Sequence, residues 1–229
     1  MLKVPEKLLV IVAHQDDETI GCGGTIRKWA DMGTQVDVVF VTNGNTGVEQ
    51  GSSYDKEDIV STRMFEAKKA SLILNASSID TMDISCQCVQ NDQETFHNII
   101  KIIREKEPNL VFTHYPKDKH RDHRVISEIV KEACWKANEN ILEELGSCHK
   151  VEDLWAIEII DIHSSVDFVV DITETYSFKK RAMNMYLSQH NIVNGIFNNI
   201  EGLARARGYS IGTEYGEAFT RISSFPISC

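Results

Sequence analysis

The segment Leu8–Ala13 reads LLVIVA, an unbroken apolar run. A strand with one exposed side alternates apolar and polar residues, so a continuous run is typical of a strand that is buried on both faces. Such strands occur in parallel sheets that helices cover on both sides. A second run, Leu110–Thr113 (LVFT), has the same character. The two runs predict an α/β fold with a mostly parallel sheet.

Segments with helical spacing of apolar residues alternate with the apolar runs. The expected helices are Thr25–Met32, Asp58–Leu74, Asn91–Glu107, Asp122–Leu145, Glu174–Ser188 and Gly195–Arg207. The expected strands are Leu8–Ala13, Val36–Val41, Leu110–Thr113, Leu154–Ile160 and Phe168–Ile172. This alternation predicts a Rossmann-like three-layer sandwich. With 229 residues and no sign of a repeat or linker, one domain over residues 1–229 is expected.

Charge and cysteine content limit the partners and the compartment. A net charge of -10 argues against nucleic acid, which is bound through clustered Lys and Arg. The apolar runs are far shorter than the roughly 20 residues of a membrane-spanning helix, and residues 1–8 do not resemble a secretory signal. The cysteines are expected to be free thiols; they stand at positions 22, 86, 88, 134, 148 and 229. We expect a cytoplasmic protein that acts on a small molecule, without a membrane partner.

Side chains that can bind a metal follow both apolar runs. The first run leads into His14–Glu18 (HQDDE), and the second leads into His114 and then Asp118–His123 (DKHRDH). Because ligands bind at the carboxyl ends of parallel strands, both groups are expected to share one crevice.

A catalytic zinc site has three protein ligands and an open position for water. Two imidazoles and one carboxylate meet that need, and His14, Asp17 and His123 can supply them. A further carboxylate beside the metal is suited to take a proton from the bound water, and Asp16 is the candidate.

The first cluster also carries a resemblance to a known family. Ala13–Glu18 (AHQDDE), followed by Gly21-Cys22-Gly23-Gly24, resembles the AHPDDE signature of the LmbE-like deacetylases, also called the PIG-L family. Asp118–His123 looks like the second motif of that family. The resemblance implies metal-dependent removal of the acetyl group from an N-acetylglucosamine-type conjugate. It further implies that His14, Asp17 and His123 bind zinc or another divalent ion such as Fe²⁺, and that the chain self-associates.

The resemblance also assigns roles around the metal. Asp16 is implied to be the general base, and a protonated His120 to stabilise the oxyanion or assist the leaving amine. Asp122 is implied to orient His120, while Arg63 and Asp83 correspond to positions that contact the sugar or its substituent. Gln15 departs from the family, which usually has Pro there; no ligand is lost, so activity is expected to survive.

Two other functions fit parts of the pattern. Two histidines and one carboxylate also form the facial triad of non-haem iron oxygenases, although that motif usually sits on an all-β roll. A module that binds metal or sugar without turnover is the second alternative, but binding alone needs neither Asp16 nor His120. A dinucleotide site is disfavoured because Ile26 replaces the third glycine of the fingerprint.

Several side chains near the motifs have simpler explanations. Glu18 can stabilise a helix dipole, Arg63 can pair with Glu66, and Tyr186 can serve packing rather than line a pocket. His114 is expected to be a loop residue rather than a fourth ligand, and His163 a surface residue.

Overall fold

Within the residues that the structure describes, seven strands form one sheet that separates two layers of helices. The structure is a computed structural model and describes residues 3–49, 56–190, 192 and 195–222. The strands are β1 (Lys7–Val12), β2 (Gln35–Thr42), β3 (Ser78–Ile84), β4 (Leu110–His114), β5 (Asp153–Ile157), β6 (Phe168–Asp171) and β7 (Gly216–Arg221). The helices are α1 (Asp17–Asp31), α2 (Lys56–Leu74), α3 (Gln93–Lys106), α4 (Arg121–Lys136), α5 (Tyr176–Met183) and α6 (Ile196–Ile211). Short 3-10 helices cover Glu143–Leu145 and Leu187–Gln189.

The sheet is mostly parallel, in the order β3-β2-β1-β4-β5-β7-β6. β1 to β5 pair in parallel, and β7 pairs antiparallel with both β5 and β6. β1 lies in the middle of the five parallel strands, between β2 and β4. The central position explains the unbroken apolar run in β1, because the strand has neighbours on both edges and helices on both faces.

Alternate residues of β1 enter two separate cores. Leu8, Val10 and Val12 pack in the core beneath α1, α2 and α5, and Leu9 and Ile11 pack in the core beneath α3 and α4. All five side chains are at most 1% exposed. The predicted three-layer α/β sandwich is therefore confirmed.

The start of α1 differs from the prediction. The helix begins at Asp17, eight residues before the expected Thr25, and has a kink at Cys22, so Gly21, Gly23 and Gly24 lie inside it. A Cβ atom at Gly21 would lie 2.7 Å from Ile157 Cδ1, and one at Gly24 would lie 2.7 Å from Ile172 Cδ1. The glycines thus allow the helix to pack closely on the sheet, and Asp17 is held in its first turn.

Other differences from the prediction concern elements whose pattern of apolar residues is weak, and two histidines. β3 and β7 were not predicted, and the helix expected over Asp122–Leu145 ends at Lys136. His114 is the last residue of β4 rather than a loop residue. His163 is buried, at 3% exposure, and is not a surface residue.

In the described part of the chain, no helix combines the length and the apolar character needed to cross a membrane.

Candidate metal centre

The carboxyl ends of β1 and β4 bring the two predicted clusters together. The strands are parallel neighbours, with Val10 beside Phe112. His14 follows β1 by two residues, and His123 lies in the first turn of α4, which follows β4. The predicted convergence of the two motifs is confirmed.

Three ligand atoms form a nearly equilateral triangle. His14 Nδ1 lies 3.2 Å from Asp17 Oδ2, and His123 Nε2 lies 3.3 Å from the same oxygen. The distance between His14 Nδ1 and His123 Nε2 is also 3.3 Å. In a tetrahedral zinc site with bonds of about 2.0–2.1 Å, ligand atoms are about 3.3 Å apart. The donor set and its spacing therefore fit a divalent metal.

Each imidazole of the triangle has a carboxylate beside its other nitrogen. His14 Nε2 lies 3.3 Å from Asp122 Oδ2, and His123 Nδ1 lies 3.1 Å from Asp118 Oδ2. Metal-binding histidines commonly have such partners, which fix the tautomer and the ring orientation. Asp122 thus contacts His14 through its carboxylate, whereas the sequence resemblance pairs it with His120.

The charges in the triangle favour a cation. Burial works against the ionised form of Asp17, but His123 and His14 outweigh it and hold the pKa of this carboxyl well below its usual range. Burial likewise opposes protonation of His123, yet Asp17 and Asp118 raise its pKa to about 9. Protons and metal ions compete for such nitrogens.

Asp16 occupies an unusual backbone conformation beside the triangle. Its φ is 139° and its ψ is -26°, a region that L-residues rarely adopt and that costs on the order of 1–3 kcal/mol. Burial raises the pKa of its carboxyl to about 7, against the opposing effect of Arg63. A carboxylate that titrates near neutrality is suited to accept and return a proton.

His120 caps helix α4 with its own ring. Its Nδ1 accepts a hydrogen bond of 3.2 Å from the backbone N–H of Asp122, so the neutral ring carries its proton on Nε2. Its ring centre lies 4.7 Å from that of His14 and 4.7 Å from that of His123. Burial and these two imidazoles lower the pKa of His120. The resemblance implies a protonated His120, whereas the lowered pKa favours the neutral ring, which can donate through Nε2.

His114 lies close enough to Asp17 and His123 to share a cation with them. However, its Nε2 accepts a 2.7 Å hydrogen bond from the backbone N–H of Ala13. Its ring stacks on His123 at 3.8 Å between centres. Since the lone pair is already used, His114 joins β1 to β4 and supports His123.

Arg63 points toward the turn that carries Asp16. It donates a 2.7 Å hydrogen bond to the carbonyl of Gln15, and its Nη2 lies 3.5 Å from Asp16 Oδ1. Among the described contacts, Arg63 does not pair with Glu66. Glu66 instead accepts hydrogen bonds from the backbone N–H and the hydroxyl of Ser188. Arg63 is thus bound to the turn beside the site.

Asp83 lies farther out, at the end of β3. Its side chain is exposed, and it borders a cavity of about 430 Å³ together with Gln15, Asn43 and Asn45. Asn43 and Asn45 belong to the loop between β2 and α2, of which residues 50–55 lie outside the described residues. The structure therefore places Asp83 beside the turn rather than at the triangle.

Two contacts of the site come from the C-terminal half of the chain. Tyr186 donates a 2.6 Å hydrogen bond from its hydroxyl to Glu18 Oε1. Gln189 donates to the carbonyl of Gly47 at 3.1 Å. The sequence indicated packing for Tyr186, and only the fold shows which groups Tyr186 and Gln189 contact.

The chain is similar in sequence and in fold to known proteins. Residues 9–134, more than half of the chain, match the family model PIG-L, described as GlcNAc-PI de-N-acetylase. The diacetylchitobiose deacetylase of Thermococcus kodakarensis is 29% identical over 192 residues, which cover 80% of this chain and 70% of that protein. The N,N'-diacetylchitobiose deacetylase of Pyrococcus horikoshii, solved with an inhibitor, superposes with a TM-score of 0.84 at 25% identity, over 95% of this chain and 84% of that chain.

The same fold also occurs in a different enzyme. The 4-carboxy-2-hydroxymuconate hydratase of Pseudomonas putida superposes with a TM-score of 0.84 over 98% of both chains, at 23% identity. At this identity the likeness concerns the fold alone. The reaction has to be argued from the side chains of the site.

Proposed function

The chain belongs to the PIG-L family, and from this premise we propose that it is a metal-dependent N-deacetylase, with the whole chain acting as one domain. The proposed substrate is a small conjugate of N-acetylglucosamine, hydrolysed at its acetamido group to acetate and a free amine. The observation that carries the proposal is the triangle of His14, Asp17 and His123 beside Asp16. The free thiols at Cys86 and Cys88 suit a reducing compartment, which supports a cytoplasmic site of action.

We propose zinc as the metal, with Fe²⁺ as the other candidate for the same donors. His14, Asp17 and His123 would hold it, and Asp118 and Asp122 would keep the two rings oriented. When bound, the ion supplies Lewis acidity, which lowers the pKa of water and polarises an amide carbonyl.

Asp16 and His120 have different roles in the proposed reaction: Asp16 transfers a proton, and His120 donates a hydrogen bond. The Asp16 carboxylate accepts the proton of the attacking water and passes it to the departing nitrogen, so the amine leaves neutral. The Nε2–H of His120 donates a hydrogen bond to the carbonyl oxygen as negative charge develops there. Water thus adds to the acetyl carbon, and the C–N bond breaks.

A neutral amino sugar fits the surroundings better than a carboxylate-rich hydratase substrate does. A polyanion is usually met by several Arg or Lys side chains. Arg63 is bound to Gln15 and Asp16, and Arg124 is bound to the backbone carbonyls of Asp118 and Lys119. We propose that Asp83, which lines the 430 Å³ cavity, contacts the sugar. Arg63, which is bound to Gln15 of the same lining, is proposed to contribute from beside the cavity.

Product analysis on a small panel tests this proposal. The purified protein is incubated with N-acetylglucosamine, N,N'-diacetylchitobiose, an N-acetylglucosaminyl malate and an N-acetylglucosaminyl inositol, and free amine and acetate are measured. Equal amounts of amine and acetate from at least one conjugate, and loss of both in Asp16→Ala, are expected. Turnover of a carboxymuconate without any acetate release would refute deacetylation.

A further inference from the structure

The peptide group between Gln15 and Asp16 is held at both of its polar ends. Arg63 donates to the Gln15 carbonyl at 2.7 Å. The Asp16 N–H donates to Glu18 Oε2 at 3.2 Å. A cation on the oxygen and an anion on the hydrogen both match the peptide dipole, so together they fix the orientation of this peptide plane.

Glu18 is in turn held by hydroxyl groups on its second oxygen. Tyr186 donates to Glu18 Oε1 at 2.6 Å, and Thr19 donates to the same oxygen at 2.5 Å. Tyr186 is fully buried and Glu18 is 3% exposed, so water does not compete for these contacts. The two carboxylate oxygens thus serve different partners, one the backbone of Asp16 and the other the hydroxyls.

The restraint acts where the backbone is strained. Asp16 has a φ of 139°, which a non-glycine residue keeps only when its surroundings impose it. Gln15 lacks the ring by which Pro restricts φ, so this turn depends more on hydrogen bonds. Tyr186 lies 168 residues from Glu18 along the chain, which means that the C-terminal half contributes to the conformation of the motif.

We propose that Tyr186 is a positioning residue for the reaction: by anchoring Glu18, it keeps the backbone of Asp16 in the conformation that aims its carboxylate. The inference rests on the proposed deacetylase function. It gives Glu18 a role beyond a favourable interaction with the helix dipole. The tyrosine acts through Glu18 and does not touch the substrate.

The test compares four variants and a double variant. Tyr186→Phe removes only the hydroxyl and is expected to lower kcat about fivefold to twentyfold, with KM and zinc content unchanged. Glu18→Leu removes both contacts and is expected to lower kcat about 100-fold, while Glu18→Gln, whose amide oxygen can still accept from Asp16, recovers much of that loss. Tyr176→Phe is the matched control, because this buried tyrosine of α5 interacts with Glu201 and is expected to keep wild-type kcat.

The double variant shows whether Tyr186 acts through Glu18 or independently of it. Adding Tyr186→Phe to Glu18→Leu is expected to change kcat less than about twofold. Full additivity of the two losses, or an unchanged kcat in Tyr186→Phe, would overturn the proposal.

A structural readout keeps the inference testable if the wild type releases no acetate from any conjugate, which would refute the deacetylase function instead. Crystal structures of the zinc-loaded wild type and Glu18→Leu are compared at Asp16. The inference expects a positive φ in the wild type and a relaxed, negative φ in the variant. The same positive φ in both would show that Glu18 does not hold this backbone.

Discussion

Two of the regions that bury charged groups, the surroundings of Arg104 and the metal centre, differ in how those groups are partnered. Arg104 on α3 is 4% exposed, and all three of its guanidinium nitrogens donate to backbone carbonyls. Those carbonyls belong to Ala137, Glu139, Ile141, Leu142 and Gly146. At the metal centre, by contrast, Gln15 Oε1, Arg63 Nε and Asp122 Oδ1 have no hydrogen-bond partner in the structure.

The difference indicates what each region is for. A buried cation with every donor used stabilises the loop after α4, and it has no capacity left for a ligand. In the proposed function, the unused polar atoms and the strained Asp16 leave groups available for metal and substrate, at a cost in stability. Substitutions should therefore affect function at one place and stability at the other.

The largest expected effect is the loss of a ligand. His123→Ala removes one corner of the triangle, so zinc binding and acetate release should both fall to background. Metal content by mass spectrometry and turnover are measured on the same sample. A variant with wild-type zinc content would show that the metal lies elsewhere.

Removal of the oxyanion donor should have the next largest effect. His120→Asn keeps a side-chain oxygen that can cap α4 but lacks the Nε2–H, so kcat is expected to fall about 100-fold with zinc content unchanged. Steady-state kinetics measures the loss, and the thermal unfolding temperature shows whether the cap survives. A wild-type kcat would exclude His120 from the chemistry.

Substitution of a residue that contacts a metal ligand should have a smaller effect than loss of the ligand. The effect should be on metal affinity. Asp118→Asn weakens the contact with His123 Nδ1, and zinc affinity is expected to fall about 10-fold to 100-fold. Competition with a chromophoric chelator measures the affinity. At saturating zinc the variant should approach wild-type turnover, and failure to do so would mean that Asp118 has another role.

The smallest effect on activity is expected at the structural region. Arg104→Ala leaves five carbonyls short of a donor, so the free energy of unfolding should fall by on the order of 3 kcal/mol. At a temperature where the variant is folded, kcat should match the wild type. A reduced kcat in fully folded protein would contradict the assignment of Arg104 to stability and of the metal centre to function.

The sequence was most informative where a residue's local pattern and its final environment coincide. The run Leu8–Ala13 predicted a strand buried on both faces, because such burial leaves no polar position. β3 was not predicted because it is an edge strand whose residues are partly exposed. Its apolar and polar residues therefore form no clear pattern. β7 pairs antiparallel, outside the alternation of strands and helices on which the fold prediction rested.

The metal centre shows the same limit. Placing His14 and His123 together needed only the rule that ligands bind at the ends of parallel strands. The partner of each ring nitrogen depends on side-chain directions that one sequence does not contain. For that reason the contact of Asp122 with His14, and that of Tyr186 with Glu18, emerged only from the fold.

Zinc titration of metal-stripped protein, read out by acetate release from the conjugate that the wild type turns over, tests the central claim most directly. Turnover should be absent at the start, rise in proportion to added zinc, and level off at one ion per chain. His14→Ala should stay at background throughout. Full activity before any metal is added, or an identical titration curve for His14→Ala, would contradict the assignment of the ion to His14, Asp17 and His123.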